Sequence, residues 1–106
     1  MNPDEIEALG VQADGLLADH ERLLGELIAL RRDRRMTEQA VAERMGVSEQ
    51  DVVEFERYDS NPTLDLVRRY ALAVGARLET RVIDGSPDAG RLRLWPGPRR
   101  ADWRAS

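Results

Sequence analysis

The chain of 106 residues contains no cysteine, no lysine and a single histidine, His20. Without cysteine it has neither disulfides nor thiolate metal sites. One histidine is too few for a zinc cluster or a histidine-based catalytic triad within one chain. The sequence therefore predicts a protein that is not an enzyme, with no catalytic residues, no metal and no cofactor.

Long apolar runs are also missing. None approaches the roughly 20 residues that a membrane-spanning helix needs, so we expect no membrane contact. The first residues, MNPDEIEALG, are acidic, unlike the positively charged start of a secretory signal. These features predict a soluble protein of the cytoplasm.

Charge is distributed unevenly along the chain. Residues 1–30 hold seven acidic residues and one arginine, a net charge of −6. The net charge is −1 over residues 31–70 and +3 over residues 71–106. All 16 basic residues are arginine, which suits phosphate binding but also fits the codon bias of a GC-rich genome. An anionic partner is expected to meet the C-terminal half or the cluster 31-RRDRR-35.

The segment 1–26 is predicted to be an amphipathic helix. Asn2, Pro3 and Glu5 favour a helix start, because they fit a capping box with proline at the first helical position. Apolar residues follow the alternating four-and-three spacing of a coiled-coil seam: Leu9, Ala13, Leu16, Leu23, Leu27 and Leu30, with His20 in the polar slot. Three glycines weaken this helix, so its stripe needs an apolar surface to cover. That surface is either a second chain or partner, or the helix's own domain.

Start and stop residues divide the segment 27–75 into short helices. Thr37 precedes one helix and Gly46 ends it as a left-handed residue. Ser48 then caps the next helix, with Asp51 three residues later. Two helices joined by a short turn that contains glycine form the helix-turn-helix pattern.

A loop and a further helix complete this segment. The stretch 58-YDSNPT-63 consists of turn formers. The helix LDLVRRYALAV follows, beginning at Pro62 or Thr63 and ending at Gly75. Its apolar stripe is predicted to comprise Leu64, Val67, Tyr70, Ala71 and Val74.

The last part of the chain alternates between apolar and polar residues. This pattern predicts a β-hairpin over 76–95, with strands at 76–84 and 91–95. Two strands alone are unstable in water, so the hairpin must pack on the helices or pair with a second copy. The segment 96–106 is rich in proline, glycine and arginine and is predicted to be a basic flexible tail. The predicted fold class is mainly α, a compact multi-helix helix-turn-helix domain with an N-terminal amphipathic helix and a C-terminal β-strand or hairpin.

From Leu27 to about Ile83 the sequence resembles the Xre-type helix-turn-helix family, the Cro/C1-type regulators that are similar to phage repressors. The residues that carry the resemblance are LRRDRR, Thr37, the turn AERMGVS at 42–48, Glu56, Asn61-Pro62 and VRRYALAVGARLE at 67–79. The segment RRYALAVGA, running into an alternating strand, is similar to small antitoxins and to phage, plasmid or actinobacterial regulators of this type. In these proteins the strand often joins a dimer interface.

The resemblance implies a sequence-specific transcriptional regulator that is repressor-like, a class that includes the antitoxins of toxin–antitoxin pairs. It implies a homodimer on double-stranded operator DNA, a nucleoid-associated location when DNA is bound, and a toxin protein as a further partner. The third helix lies in the major groove in this fold, and its first residues reach base edges.

Residue chemistry within this frame gives a set of candidate sites. Gln50 suits adenine, and a carboxylate can accept a hydrogen bond from cytosine. The candidate DNA-binding residues are Thr37, Ser48, Glu49, Gln50, Asp51, Glu54, Arg34, Arg35, Arg57, Tyr58 and Asn61. The candidate dimer-interface residues are Leu16, His20, Leu23, Leu78 and Val82.

The predicted reading helix is acidic, which departs from the family pattern. Glu38 replaces a glutamine that members commonly carry, and neutral or basic residues are usual at the positions of Glu49, Asp51 and Glu54. Capping is expected to occupy Asp51, and Glu56 is expected to have a structural role. Arg57 lies three residues from Glu54, a spacing at which it can screen that carboxylate. Arg44 or Arg35 is expected to reach the others, so that part of the charge is screened within the chain.

The acidity also supports an alternative function. In this alternative the helix-turn-helix scaffold is a protein-binding module that docks on a basic toxin or regulator and binds DNA weakly or not at all. A fold by itself does not fix a function.

Overall fold

The structure is a computed structural model that describes residues 2–85. Within this range the chain forms four α-helices, which confirms the predicted mainly helical class with a helix-turn-helix domain. The predicted strand at 91–95 and the tail 96–106 lie outside the described residues. Contacts divide the described residues into two units, one formed by Leu17–Glu79 and one by residues 2–16 with residues 80–85.

Helix α1 spans Pro3–Asp33. The Asn2 Oδ1 atom accepts a hydrogen bond from the Glu5 N–H at 2.8 Å, and Glu5 Oε2 accepts from the Asn2 N–H at 3.3 Å. The predicted capping box at the helix start is therefore confirmed. The helix passes Gly25 without a break, so the N-terminal helix and the first helix of the helix-turn-helix segment are one element. A glycine in a helix costs about 1 kcal/mol, which packing of the following turns offsets.

The apolar side chains of α1 have different environments along its length. Leu24 and Leu27 are buried in the core of the Leu17–Glu79 unit. In contrast, Leu9 and Leu16 are 49% and 66% exposed. The seam predicted from sequence is thus open in its first half and wholly or partly buried in its second, at Leu27 and at Leu23 and Leu30 respectively.

Helices α2 and α3 span Glu38–Met45 and Glu49–Phe55. Thr37 caps α2 through a hydrogen bond from the Ala40 N–H to Thr37 Oγ1 at 3.0 Å. Gly46 ends α2 in the left-handed conformation, with φ of 72°. Both boundaries are as the sequence predicted.

Helix α4 spans Leu64–Val74, with Thr63 as its N-cap and Gly75 as its left-handed C-cap. Its inward face packs on α2 and α3 through residues that include Val67, Tyr70 and Val74. Leu64 was predicted in this stripe, but its side chain is 72% exposed. It lies in the first turn, where the chain enters the helix from the loop. None of the helices described combines the length and apolar character needed to cross a bilayer.

Residues 76–85 contain no strand, so the strand predicted at 76–84 is not supported in the part of the chain that the structure describes. Alternation of apolar and polar residues is a necessary feature of a half-buried strand, but a strand also requires a hydrogen-bonded neighbour. Ala76 and Leu78 instead pack beside the helical core.

Three helix ends share one backbone motif. At each end one backbone N–H donates a hydrogen bond to the carbonyl oxygen five residues earlier. The donors are Met36, Val47 and Ala76, at distances of 3.1, 3.1 and 2.8 Å respectively. The residue before each donor has a positive φ, as in the Schellman motif. That residue is glycine at positions 46 and 75 but Arg35, with φ of 56°, at the end of α1.

Candidate nucleic-acid interface

The turn between α2 and α3 is built from backbone-directed hydrogen bonds. After Gly46, Ser48 Oγ accepts from the Asp51 N–H at 3.1 Å, and Asp51 Oδ2 accepts from the Ser48 N–H at 3.2 Å. This reciprocal pair is a complete capping box, as the sequence predicted. It fixes where α3 begins and therefore which of its side chains point outward.

Helix α3 has one buried and one exposed face. Val52 and Phe55 are buried in the core. Glu49, Gln50 and Glu54 are exposed. The three residues are therefore available to a partner, whereas the carboxylate of Asp51 is occupied at the cap.

The expected screening of this acidic face by nearby arginines is wrong. Neither Glu49 nor Glu54 forms an ion pair with any residue in the range 2–85. Arg57 pairs with Asp59 at 3.4 Å instead of with Glu54. The outward surface of α3 thus carries two carboxylates that no described cation neutralises.

Two other arginines bind the end of α4. Arg34 Nη1 donates to the carbonyl of Val74, and Arg44 Nη1 donates to the carbonyl of Ala73 at 3.1 Å. The last carbonyls of a helix carry partial negative charge and lack intrahelical partners. These contacts direct both guanidinium groups to the helix end, which explains why Arg44 does not screen α3. Nothing in the local sequence pairs position 34 with position 74.

The loop after α3 adds further candidates. Tyr58 is 93% exposed. Asn61 lines an open groove of about 430 Å³ together with Asp51 and Glu54. The apolar part of this groove comprises Met45, Val47, Phe55, Pro62 and Leu66. Three of the predicted DNA-binding residues therefore meet at one groove beside α3.

The remaining predicted contacts are dispersed. Thr37 is exposed at the start of α2, and its hydroxyl oxygen already accepts a capping hydrogen bond. Arg35 and Arg57 are both exposed. Arg35 forms no ion pair within the described residues, and the pair of Arg57 with Asp59 is itself open to solvent.

A buried polar network holds the end of α3 against α1 and α4. Arg31 Nε and Nη2 donate to Glu56 Oε2 and Oε1 at 2.7 and 2.9 Å. The hydroxyl of Tyr70 donates to Glu56 Oε2 at 2.7 Å. Arg31 Nη1 also donates to the carbonyl of Met36 at 2.8 Å. The predicted structural role of Glu56 is thereby explained, because a bidentate pair fixes both position and angle.

This network alters the protonation equilibria of its members. The hydrogen bond to Glu56 raises the pKa of the Arg31 guanidinium, while burial acts in the opposite direction. Burial raises the pKa of the Tyr70 hydroxyl above its ordinary value, and the hydrogen bond to Glu56 raises it further. The Tyr70 ring also stacks on Phe55, with ring centroids 4.4 Å apart. The apolar spacing of α4 predicts Tyr70 in the core, but no local sequence signal predicts its polar role or that of Arg31.

The predicted dimer residues fall into two groups. His20 Nε2 lies 3.2 Å from the carbonyl oxygen of Ser60, and Leu23 and Leu78 pack beside the core. These three residues make contacts within the chain. Leu16 and Val82 are 66% and 67% exposed.

The model of the helix-turn-helix family matches residues 27–80, just over half of the chain. The chain therefore belongs to the helix-turn-helix family, of the Xre or Cro/C1 type.

Two curated relatives from two strains of Mycobacterium tuberculosis, both named antitoxin HigA1, are 45% identical to the chain over 84 residues. The match covers 76% of this chain and 55% of each relative, so the chain spans about half the length of these relatives. No solved structure matches.

Proposed function

We propose that the chain is a repressor-like transcriptional regulator that binds operator DNA as a dimer through α3. The observation that carries this proposal is the capped turn between α2 and α3, which presents Glu49, Gln50 and Glu54 outward on a rigidly seated helix. A short helix held at its start by a capping box and at its end by Glu56 suits insertion into a major groove.

Base reading is assigned to the exposed face of α3. Gln50 pairs with adenine, and Glu49 or Glu54 accepts from the amino group of cytosine. Thr37, Tyr58 and Asn61 supply hydroxyl and amide contacts to phosphate. These roles use each side chain in the exposed position that the fold gives it.

Exposed arginines, including Arg35 and Arg57, supply the affinity for the phosphates. Arg34 contributes less, because its guanidinium is directed to the end of α4. Two carboxylates without an ion-pair partner in the range 2–85 lie nearby, so the affinity is low. It depends strongly on salt, since arginine contacts release counterions.

The dimer interface is proposed among the exposed apolar residues Leu16 and Val82. His20, Leu23 and Leu78 are half-buried by contacts within the chain. Only the exposed parts of these three side chains are proposed to join the interface. We also propose that the chain consists of four functional segments, 1–26, 27–75, 76–95 and 96–106. The second of these segments binds DNA.

An antitoxin role fits the same scaffold. The support is the 45% identity to two proteins named antitoxin HigA1. In this role the chain binds a toxin protein and also its own operator.

The carboxylates of Glu49 and Glu54, which no cation of the described residues neutralises, favour a second candidate function. In it the α3 surface docks on a basic protein, and DNA binding is weak or absent. Carboxylates beside DNA phosphates are repelled, whereas they attract arginine or lysine side chains of a protein.

The test is a fluorescence-anisotropy titration of the full chain with DNA from its own promoter and with a scrambled duplex, at two salt concentrations. Tighter binding to the promoter, with a steep loss on adding salt, supports the regulator. Absence of binding at low salt supports the protein-binding alternative.

Two variants assign the contacts. Gln50→Ala is expected to reduce the preference for promoter over scrambled DNA by about tenfold, the lower end of a bidentate base contact. Arg57→Ala is expected to weaken binding to both duplexes equally and to lower the salt slope by about 1. Unchanged selectivity in Gln50→Ala would show that α3 is not the reading element.

A further inference from the structure

Residues 57–62 form the α3–α4 loop, in which Ser60 uses all of its polar groups. Its N–H donates to the Arg57 carbonyl at 3.0 Å, and its hydroxyl donates to the Phe55 carbonyl at 2.6 Å. Its carbonyl oxygen lies 3.2 Å from Nε2 of His20. The first two hydrogen bonds are local, whereas the third connects the loop to α1, 40 positions away in the sequence.

The hydrogen bond between His20 and Ser60 has only one possible direction. A carbonyl oxygen accepts hydrogen bonds and cannot donate them, so the imidazole carries a proton on Nε2 in this contact. Both residues are half-buried. A side chain without an N–H or O–H group at position 20 would therefore leave the Ser60 carbonyl without this donor.

Apolar packing does not close the space between α1 and the start of the α3–α4 loop. An open cleft of about 180 Å³ lies there, lined by Leu24 and Ile28 of α1 and by Arg57 and Tyr58 of the loop. His20 lines the same cleft. On this side of the loop the hydrogen bond from His20 thus supplies the connection that apolar contacts do not.

The residues beside Ser60 in sequence are those to which phosphate contacts are assigned above. Tyr58 precedes Ser60 by two positions, Asn61 follows it directly, and both side chains are exposed. Neither side chain forms a hydrogen bond with another residue in the range 2–85. Their positions consequently depend on how the loop backbone is held.

We propose that His20 is a positioning residue for DNA binding, which holds the α3–α4 loop through the Ser60 carbonyl so that Tyr58 and Asn61 reach the phosphates. Contacts that are ordered before binding lower the entropic cost of association. This inference rests on the regulator function proposed above. His20 lies outside residues 27–80, the range that matches the helix-turn-helix family. The part of α1 that precedes this range thereby contributes to DNA binding through the loop.

The test compares two variants of the full chain that differ in a hydrogen-bond donor at position 20. His20→Gln keeps a side-chain N–H donor, whereas His20→Met has a side chain of similar length without one. Glutamine and methionine have similar helix propensities, so α1 is expected to form equally in both variants. Fluorescence anisotropy measures binding to promoter DNA and to a scrambled duplex.

His20→Met is expected to bind both duplexes about threefold to tenfold more weakly than the native chain, the value of one hydrogen bond. The preference for promoter over scrambled DNA stays unchanged, because α3 is not altered. His20→Gln is expected to retain most of the native affinity. In a background of Tyr58→Phe with Asn61→Ala, His20→Met is expected to cause no further loss, since the groups through which it acts are already absent.

Amide hydrogen exchange, followed by NMR on the free chain, provides a measurement without DNA. The Ser60 N–H is expected to exchange faster in His20→Met than in His20→Gln, because the loop opens more readily without the donor. The matched reference is the N–H of Val41, which donates to the Thr37 carbonyl at 3.1 Å. Its exchange rate is expected to be the same in both variants.

Four outcomes contradict the inference. Equal DNA binding by His20→Met and His20→Gln would show that the donor has no role, as would equal exchange of the Ser60 N–H. A further loss of affinity in the Tyr58→Phe and Asn61→Ala background would show that His20 acts elsewhere. A changed assembly state of His20→Met in light scattering would assign His20 to the dimer contact instead.

The same titrations separate this inference from the regulator proposal. If the native chain binds promoter DNA selectively and His20→Met binds it equally tightly, only the role of His20 is refuted. If the native chain binds neither duplex, the regulator function fails and the positioning role fails with it.

Discussion

Breaking the buried pair between Arg31 and Glu56 is expected to destabilise the fold far more than breaking a surface pair. The two side chains are 11% and 8% exposed. Replacing Glu56 by alanine removes the acceptor of two Arg31 donors and of the Tyr70 hydroxyl. A buried cation left without its partner costs about 3–5 kcal/mol.

The exposed pair between Arg69 and Asp65 is the matched control. Its N–O distance is 3.0 Å, but the side chains are 55% and 64% exposed. Arg69→Ala is therefore expected to cost less than about 1 kcal/mol. The free energy of unfolding is measured by urea denaturation, where about 4 kcal/mol lowers the midpoint by roughly 2 M for a small domain.

Glu56→Gln provides a milder variant if Glu56→Ala does not fold. Its amide oxygen can replace only one of the two carboxylate oxygens, and its NH2 group would face an Arg31 donor, so its stability is expected to lie between those of Glu56→Ala and the native chain. An apolar double variant, Arg31→Met with Glu56→Met, is expected to recover most of the loss, because no charge then remains buried. The reasoning is refuted if Glu56→Ala costs no more than Arg69→Ala.

Two further predictions concern stability. Arg35→Gly is expected to stabilise the protein by about 1 kcal/mol, because a side chain is unfavourable at the positive φ that ends α1. Thermal unfolding measures this change, and a lower melting temperature in the variant would contradict the prediction. Burial raises the pKa of Tyr70 above the ordinary value of 10.0, so the folded state retains the hydroxyl proton more strongly than the unfolded chain. The corresponding stability is present below about pH 10 and declines as the pH rises above it. Urea midpoints across this range are expected to fall more steeply for the native protein than for Tyr70→Phe, and equal slopes would disprove the assignment.

The helix boundaries could be predicted from sequence because they depend on local chemistry. Thr37 and Ser48 start helices with their own side chains, and Gly46 and Gly75 end them with a backbone conformation that other residues adopt at a cost. The end of α1 had no such signal, since Arg35 occupies the left-handed position there.

The strand at 76–84 shows the limit of periodicity. Alternating residues describe which side chains share a face, but the pairing that makes a strand lies elsewhere in the chain. The same limit applies to the α1 seam, whose spacing is regular although its first half is exposed and its second half wholly or partly buried.

The sequence by itself determined the helical class, the capped turn and the acidity of α3, because each depends on residues within a few positions of one another. The tertiary structure decided which charges have partners. Arg31 meets Glu56 across 25 positions, and Arg34 meets Val74 across 40. Glu49 and Glu54 remain unpaired within the described chain because the arginines nearest to them in sequence bind elsewhere. Such pairings depend on how helices pack, which local sequence does not specify.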